Sequence, residues 1–353
     1  MNSHLKPIFT LTLLACLVVV GCATKQLERP KSTDELTSEL PPELQKFKVE
    51  TELRKAEPVV VPATTPKVSG DELLVGKGKK ASKKRRGKEK AVEVAPVPAA
   101  QPSPGLGFQI QNRRPQNGHE PFPIGEKMTW NVGYLAFSAG TATSTVMPYN
   151  YINGRKVYHL EGTAKSSGIM NLFYSLDDVV ETFIDFEGMF THRFHMVLDE
   201  TKQKRDSVEI HDLEKMDVFW WSRLNHAEKG FIEKKETSPI PPYAQDIYSA
   251  LYYLRTVPLP DGANIKLPLI VEGKAVDAEV NVLRREECGT VVGKRTCVVV
   301  KPETRLQGVL QKTTDSFIWL TDDEQRLVVR IEANVKIGSI SVTLEKYESG
   351  QPQ

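Results

Sequence analysis

Four cysteines come first among the residues able to do chemistry, because a thiol can be acylated, oxidised or metallated and each fate needs different neighbours. Cys16 and Cys22 lie near the start; Cys288 and Cys297 bracket the eight residues GTVVGKRT far downstream. Lys6 opens the chain with positive charge, and Ile8–Val20 is almost wholly apolar. Gly21 then places a small residue just before Cys22. Thirteen apolar residues are too few for a stable membrane span. The layout is that of a bacterial lipoprotein signal peptide, with Val19 where leucine is commonest. Residues 1–21 are expected to be removed and Cys22 to carry lipid. An uncleaved apolar anchor would equally leave the rest of the chain outside the cytoplasm. Export puts the remaining thiols in an oxidising compartment, and the two glycines between them suggest a turn, so a Cys288–Cys297 disulfide is expected. Two thiols alone fall short of a structural zinc site. The sequence predicts neither a metal nor a cofactor.

Other reactive groups are less well placed. His192 and His195 form an HxxH, but strand residues three apart face opposite sides, so one ion would need a bulge to reach both. The neighbouring carboxylates Asp177-Asp178 and Asp322-Asp323 do not supply a pair facing across a cleft, as glycoside hydrolysis requires. Asp246, near Ser249 and Arg255, is open to two readings. One is a helix cap with a paired arginine; the other is an acid in a hydrolytic site. Trp220-Trp221 must point to opposite faces of a strand. Either both faces are covered there, or one indole marks a patch for glycan, acyl chain or protein, with Asp246 and Arg255 as further candidates. No GxSxG and no glycine-rich phosphate loop is present.

Charge divides the chain. Residues 1–120 hold 20 Lys/Arg against 13 Asp/Glu, and residues 121–353 hold 27 against 32. Residues 22–119 are rich in proline and charge and nearly free of aromatics, which predicts a disordered tether. Within it, Lys77, Lys79, Lys80, Lys83, Lys84, Arg85, Arg86, Lys88 and Lys90 form a basic run. Export argues against nucleic acid, leaving attraction to anionic envelope polymers or a merely solvated linker.

The elements positioning the downstream residues read as β-structure. Period-2 alternation begins at Met128, Trp130, Val132 and Tyr134 and recurs about a dozen times to Tyr347, with turn signals such as Asn153-Gly154 and Glu187-Gly188 between. One stretch differs. Tyr243, Ile247, Ala250, Leu251 and Leu254 follow helical spacing between Pro241-Pro242 and Pro258. The fold expected for residues 120–349 is mainly β: a curved antiparallel sheet, a half-barrel or open-barrel meander, with this one helix covering its concave side.

Gly125-Glu126-Lys127-Met128-Thr129-Trp130 and Ala139-Gly140-Thr141-Ala142 resemble the opening of the bacterial domain-of-unknown-function 3108 (DUF3108) family. Asp246, Ser249-Ala250, Tyr252 and Arg255 resemble its central helix, and Trp319 with Arg326–Glu332 its closing strands. The resemblance implies a fold but no activity; by fold analogy alone, it is similar to envelope carriers that shelter acyl chains. The function expected is a lipoprotein on the periplasmic side of the outer membrane that binds lipid, cell-wall glycan or a protein without catalysis. Ala23 after Cys22, rather than Asp, gives no inner-membrane retention signal. The alternatives are an envelope hydrolase, or a spacer joining outer membrane to peptidoglycan through the basic run.

Overall fold

A computed structural model describes residues 40–52, 109–135, 137–306, 309–310, 315–335 and 338–351. Cys22 and Lys77–Lys90 lie outside these residues. The alternating sequences pair as fifteen strands among the described residues. They are β1 (Glu126–Tyr134), β2 (Phe137–Ile152), β3 (Arg155–Ser166), β4 (Asp177–Asp185), β5 (Thr191–Asp199), β6 (Gln203–Asp212), β7 (Asp217–His226) and β8 (Gly230–Pro239). After α1 (Ser249–Leu254), the one α-helix among the described residues, come β9 (Asn264–Val271), β10 (Lys274–Thr290), β11 (Gly293–Leu306), β12 (Val309–Leu310), β13 (Ser316–Thr321), β14 (Val328–Asn334) and β15 (Ser339–Ser349).

The strand order is β8-β7-β6-β5-β4-β3-β2-β1-β15-β14-β13-β11-β10-β9, with β12 beside β11. Two antiparallel meanders thus join through β1 and β15, the first and last strands. The chain crosses from the β8 edge to the β9 edge by way of α1. Among the described residues no ladder joins the β8 edge to the β9 edge, so the sheet is not closed into a barrel; β9 carries only an isolated bridge to Gln245. It is nevertheless strongly curled: the β9–β10 turn touches β6 and β7, near the opposite end of the path. There Gly273 N–H donates to Glu209 Oε1 at 3.0 Å, and Arg205 pairs with Glu272 at 2.7 Å. Gly273 has φ +73°, and a Cβ on it would lie 2.6 Å from Trp220 Cβ, so only glycine fits this contact.

The larger core fills the hollow. Met128, Trp130 and Val132 of β1, Val298, Val299 and Val300 of β11, and Tyr252 and Leu254 of α1 belong to it. A second core lies on the outer face and corrects the tether expected over 22–119. Leu40, Leu44 and Phe47 are buried against Ile152, Val157, Phe183, Val208, Ile210 and Trp221. Pro42–Phe47 is a 3-10 turn with proline at its start, where a missing N–H costs nothing. Backbone bonds Glu50 N–H to Tyr151 O (2.9 Å) and Tyr151 N–H to Glu50 O (2.7 Å) pin this strap to the end of β2. Lys46 reaches Asp212 (3.2 Å) and Glu214 (2.6 Å). The other border of the expected tether shifts too. Arg113 and Arg114 N–H groups donate to Glu187 O at 2.8 and 3.1 Å, and Tyr158 Oη donates to Glu120 at 2.7 Å.

Helix α1 is shorter than the stripe from Tyr243 predicts. Tyr243 takes φ +59°, and Gln245 makes a parallel bridge with Leu269, so helical geometry begins only after Asp246.

Candidate functional site

Asp246 sets the start of α1. Its Oδ1 accepts the N–H groups of Tyr248 (2.7 Å) and Ser249 (2.8 Å), and Ser249 Oγ accepts Asp246 N–H at 2.9 Å. This reciprocal capping box satisfies donors that a helix start leaves without partners. Asp246 Oδ2 accepts the hydroxyls of Thr182 (2.5 Å) and Thr191 (2.7 Å), which fastens the helix to β4 and β5. The side chain is wholly buried. Of the two readings of Asp246, the geometry matches the cap.

Three residues further along, the helix is held from β2 and β3. Ser144 Oγ shares hydrogen bonds with Tyr248 Oη (2.6 Å) and Tyr252 Oη. A Cβ at Gly162 would fall 3.0 Å from Tyr248 Cζ, so the glycine lets the ring lie directly on β3. Burial pushes the Tyr252 hydroxyl up to about 12, with the Glu126 carboxylate adding to it.

Arg255 ends the helix in a buried bidentate pair. Its Nη1 and Nη2 donate to Glu126 Oε1 and Oε2 at 2.7 and 2.8 Å, and Nη2 also reaches Gln325 O at 3.1 Å. Burial opposes the guanidinium charge, but the Glu126 carboxylate outweighs it and raises the pKa. Asp246 and Ser249 therefore fasten α1 to β4 and β5, Tyr252 fastens it to β2, and Arg255 to Glu126 of β1.

Both tryptophans are buried, at 4% for Trp220 and 1% for Trp221. Trp220 lies beneath the β9–β10 turn. Trp221 lies under the strap, donates Nε1–H to Glu233 (2.7 Å) and carries Lys235 Nζ 3.7 Å from its ring centre. Both sheet faces are covered here, which corrects the patch reading for Trp220 and Trp221. Trp221, Asp246 and Arg255 are not brought together as one patch. The Cys288–Cys297 disulfide is present, with Cα atoms 5.9 Å apart across the β10–β11 hairpin.

The histidines of HxxH turn to different carboxylates. His192 Nε2 lies 2.9 Å from Asp185, while His195 bridges Asp206 (3.0 Å) and Glu181 (3.4 Å). His159 reaches the other Glu181 oxygen at 2.8 Å. The hydrogen bonds from His159 and His195 hold the Glu181 carboxyl well below the usual range. Burial works against the charged form of His195, but Asp206 and then Glu181 outweigh it and raise its pKa. Among the described residues, no group of three His, Cys, Asp or Glu is arranged to hold a metal ion.

One titratable pair escapes sequence reasoning because its members come from a strand and a distant turn. Asp178, at the start of β4, is buried near Glu200. Burial first, and then the Glu200 carboxylate, push Asp178 up to about 8. Its Oδ1 accepts Asp199 N–H at 3.0 Å; Glu200 Oε2 accepts Tyr174 Oη at 2.5 Å and Gln203 Nε2 at 2.7 Å. The pair thereby ties the β3–β4 connection, which carries Tyr174, to the β5–β6 turn. Thr201 N–H to Ser175 O, at 2.9 Å, adds a second stitch.

A family model described as "Protein of unknown function (DUF3108)" matches residues 127–345. No curated protein matches the sequence. Among solved structures, the chain is similar to a β-barrel-like protein of domain of unknown function DUF1849 from Brucella abortus. That likeness has 11% identity over 66% of this chain and 100% of the other, with a TM-score of 0.41. It is also similar to a protein described as exported, with a YmcC-like fold, from Bacteroides fragilis (12% identity, 65% and 97% covered, TM-score 0.29). A third is described as a lipoprotein of Parabacteroides distasonis (12%, 64% and 97%, TM-score 0.27).

Proposed function

The chain belongs to the DUF3108 family, whose description names no activity, and from that premise we propose a lipid-anchored envelope protein whose folded unit binds an envelope component without catalysis. Its place is the periplasmic side of the outer membrane, with Cys22 as the acylated residue. The observation that carries the reading is the apolar run ending in Gly21-Cys22, which suits lipid attachment better than a membrane span.

The geometry supports binding over reaction chemistry in one respect. The residues that mark the family here spend their polar atoms on one another: Asp246 on a helix start, Arg255 on Glu126, and Trp130 Nε1–H on Val328 O at 2.8 Å. Helix α1 and its tyrosines occupy the hollow beside β1 to β4, which favours recognition at an outer surface over storage of a chain there. Lys77–Lys90, with nine basic residues and one acidic, supplies attraction to lipid phosphates or acidic cell-wall polymers.

Cell fractionation of a Cys22→Ser variant tests the proposal. The parent chain is expected in the membrane fraction and retained at high salt. The variant should change its mobility on a denaturing gel because lipid attachment and signal removal both fail. Identical mobility and labelling by a fatty-acid analogue in the two chains would refute it.

A further inference from the structure

Neighbouring strands run in opposite directions, so alternate turns of the meander lie at the same end of the sheet. The β1–β2, β3–β4, β5–β6 and β7–β8 connections share one end. Seven large hydrophobic side chains are exposed among the described residues, and five sit there: Leu135, Phe137, Leu172, Phe173 and Phe231. Phe137 is 69% exposed and Leu172 80%. Single exposed hydrophobics need no explanation, but a cluster on one end does. Two of these connections are neighbours, since Ser167 N–H donates to Ala139 O at 3.0 Å. Leu135, Phe137, Leu172 and Phe173 therefore crown one apolar tip.

Two more observations indicate what meets it. Met128–Gly154 and Ser166–Leu176 contain no Asp, Glu, Lys or Arg, although 26% of the chain is charged. The Lys165–Asp177 ion pair and the charged β5–β6 and β7–β8 turns border the tip. Charges at that level can meet lipid headgroups, while a bilayer penalises every charge carried into its acyl region and the tip itself carries none. Leu135 also sits at φ +55°, a region that glycine or asparagine occupies at less cost, so an exposed leucine is kept there against backbone preference.

We infer that this end of the sheet docks on a lipid bilayer, its apolar tip entering the boundary between headgroups and acyl chains. The inference rests on the anchored reading above only for bringing a bilayer within reach. The strap meets the β2–β3 and β6–β7 turns, at the end opposite the tip, about 30 Å away for ten-residue strands. Residues 23–39 have a contour length of up to about 60 Å, so a chain anchored at Cys22 reaches its own membrane with the tip.

The test places an environment-sensitive fluorescent amino acid at position 172 of the full chain, or at 234 on edge strand β8 as a control. The protein is held on vesicles of phosphatidylethanolamine and phosphatidylglycerol. Lipids brominated on their acyl chains should quench the probe at 172 about threefold or more relative to the probe at 234. Phe137→Ser combined with Phe173→Ser should abolish most of that difference while leaving the melting profile unchanged. Equal quenching at the two positions overturns the inference. Shielding of position 172 that depends on protein concentration and not on lipid also overturns it, in favour of contact between copies. The mass of the Cys22 peptide from the same sample reads the anchor separately. Quenching with an unmodified Cys22 keeps the tip and removes the anchor; an acylated Cys22 with an unquenched tip does the reverse.

Discussion

Arg255 and Glu126 are both buried and satisfy each other through two hydrogen bonds. Removing one partner strands the other charge away from water, so Arg255→Met should cost about 3–5 kcal/mol in urea denaturation. Adding Glu126→Leu to it should recover most of the loss, because the stranded carboxylate, more than the absent bond, sets the cost. Full additivity of the two substitutions would show that they do not form one unit. Asp178 gives a pH dependence of the opposite kind from an ordinary carboxylate. Its folded pKa, about 8, lies above its unfolded value of about 3.9, so the native state holds the extra proton. Its contribution to stability is full below the unfolded pKa and is lost as pH rises through about 8. Asp178→Asn should flatten the melting temperature across that window, and a parent profile already flat there would contradict the assignment. Glu181 works in reverse, since its lowered pKa makes its share of stability fade as pH falls.

At the scale of elements, the strap is the least expected part. Phe47→Ala removes its most buried side chain, a change that costs about 3–5 kcal/mol in a fixed core. The strap can undock locally, so the global loss is limited to its docking free energy. Limited proteolysis should therefore show new cleavage within residues 40–52 while the sheet still unfolds cooperatively; an unchanged digest would mean the strap does not detach. Reducing Cys288–Cys297 should cost about 2–3 kcal/mol, the scale for a short loop, with faster hydrogen exchange confined to the β10–β11 hairpin. Alternation made most strands legible, because one face of each meets the hollow. Strand β8 was not legible. As an edge strand it is mostly solvated on both faces, and Glu233-Lys234-Lys235-Glu236 shows no period of two, although such charges guard a free edge. The strap's spacing, Leu40, Leu44 and Phe47, is helical, but proline and charge around it masked the signal. The start of α1 was written in Asp246-x-x-Ser249, a capping signature that outweighs the longer apolar stripe. Asp178 with Glu200 had no local sign, since its partners meet only through strand pairing.

For the whole molecule, the strap changes what the N-terminal segment can do. A tether of residues 22–119 would let the folded unit range far from its anchor. With Leu40 to Phe47 docked, only residues 23–39 separate Cys22 from the first docked residue, a contour of up to about 60 Å. Lys77–Lys90 then belongs to residues 53–108, which in the sequence connect Glu52 of the strap segment to Gln109 and lie outside the described residues. Replacing its nine basic residues by glutamine should weaken attachment to anionic vesicles at low salt and matter little at high salt, because exposed charges are screened. Salt-independent attachment in both chains would remove the run from the account. The proposal combines a β scaffold whose buried hydrogen bonds face inward with an acylated Cys22 that would hold its tip against a membrane. Mass spectrometry of the N-terminal peptide, taken from protein extracted from native membranes, tests this most directly. The account predicts a peptide that begins at Cys22 and carries acyl chains; a peptide that retains residues 1–21, or a Cys22 with a free thiol, would contradict it.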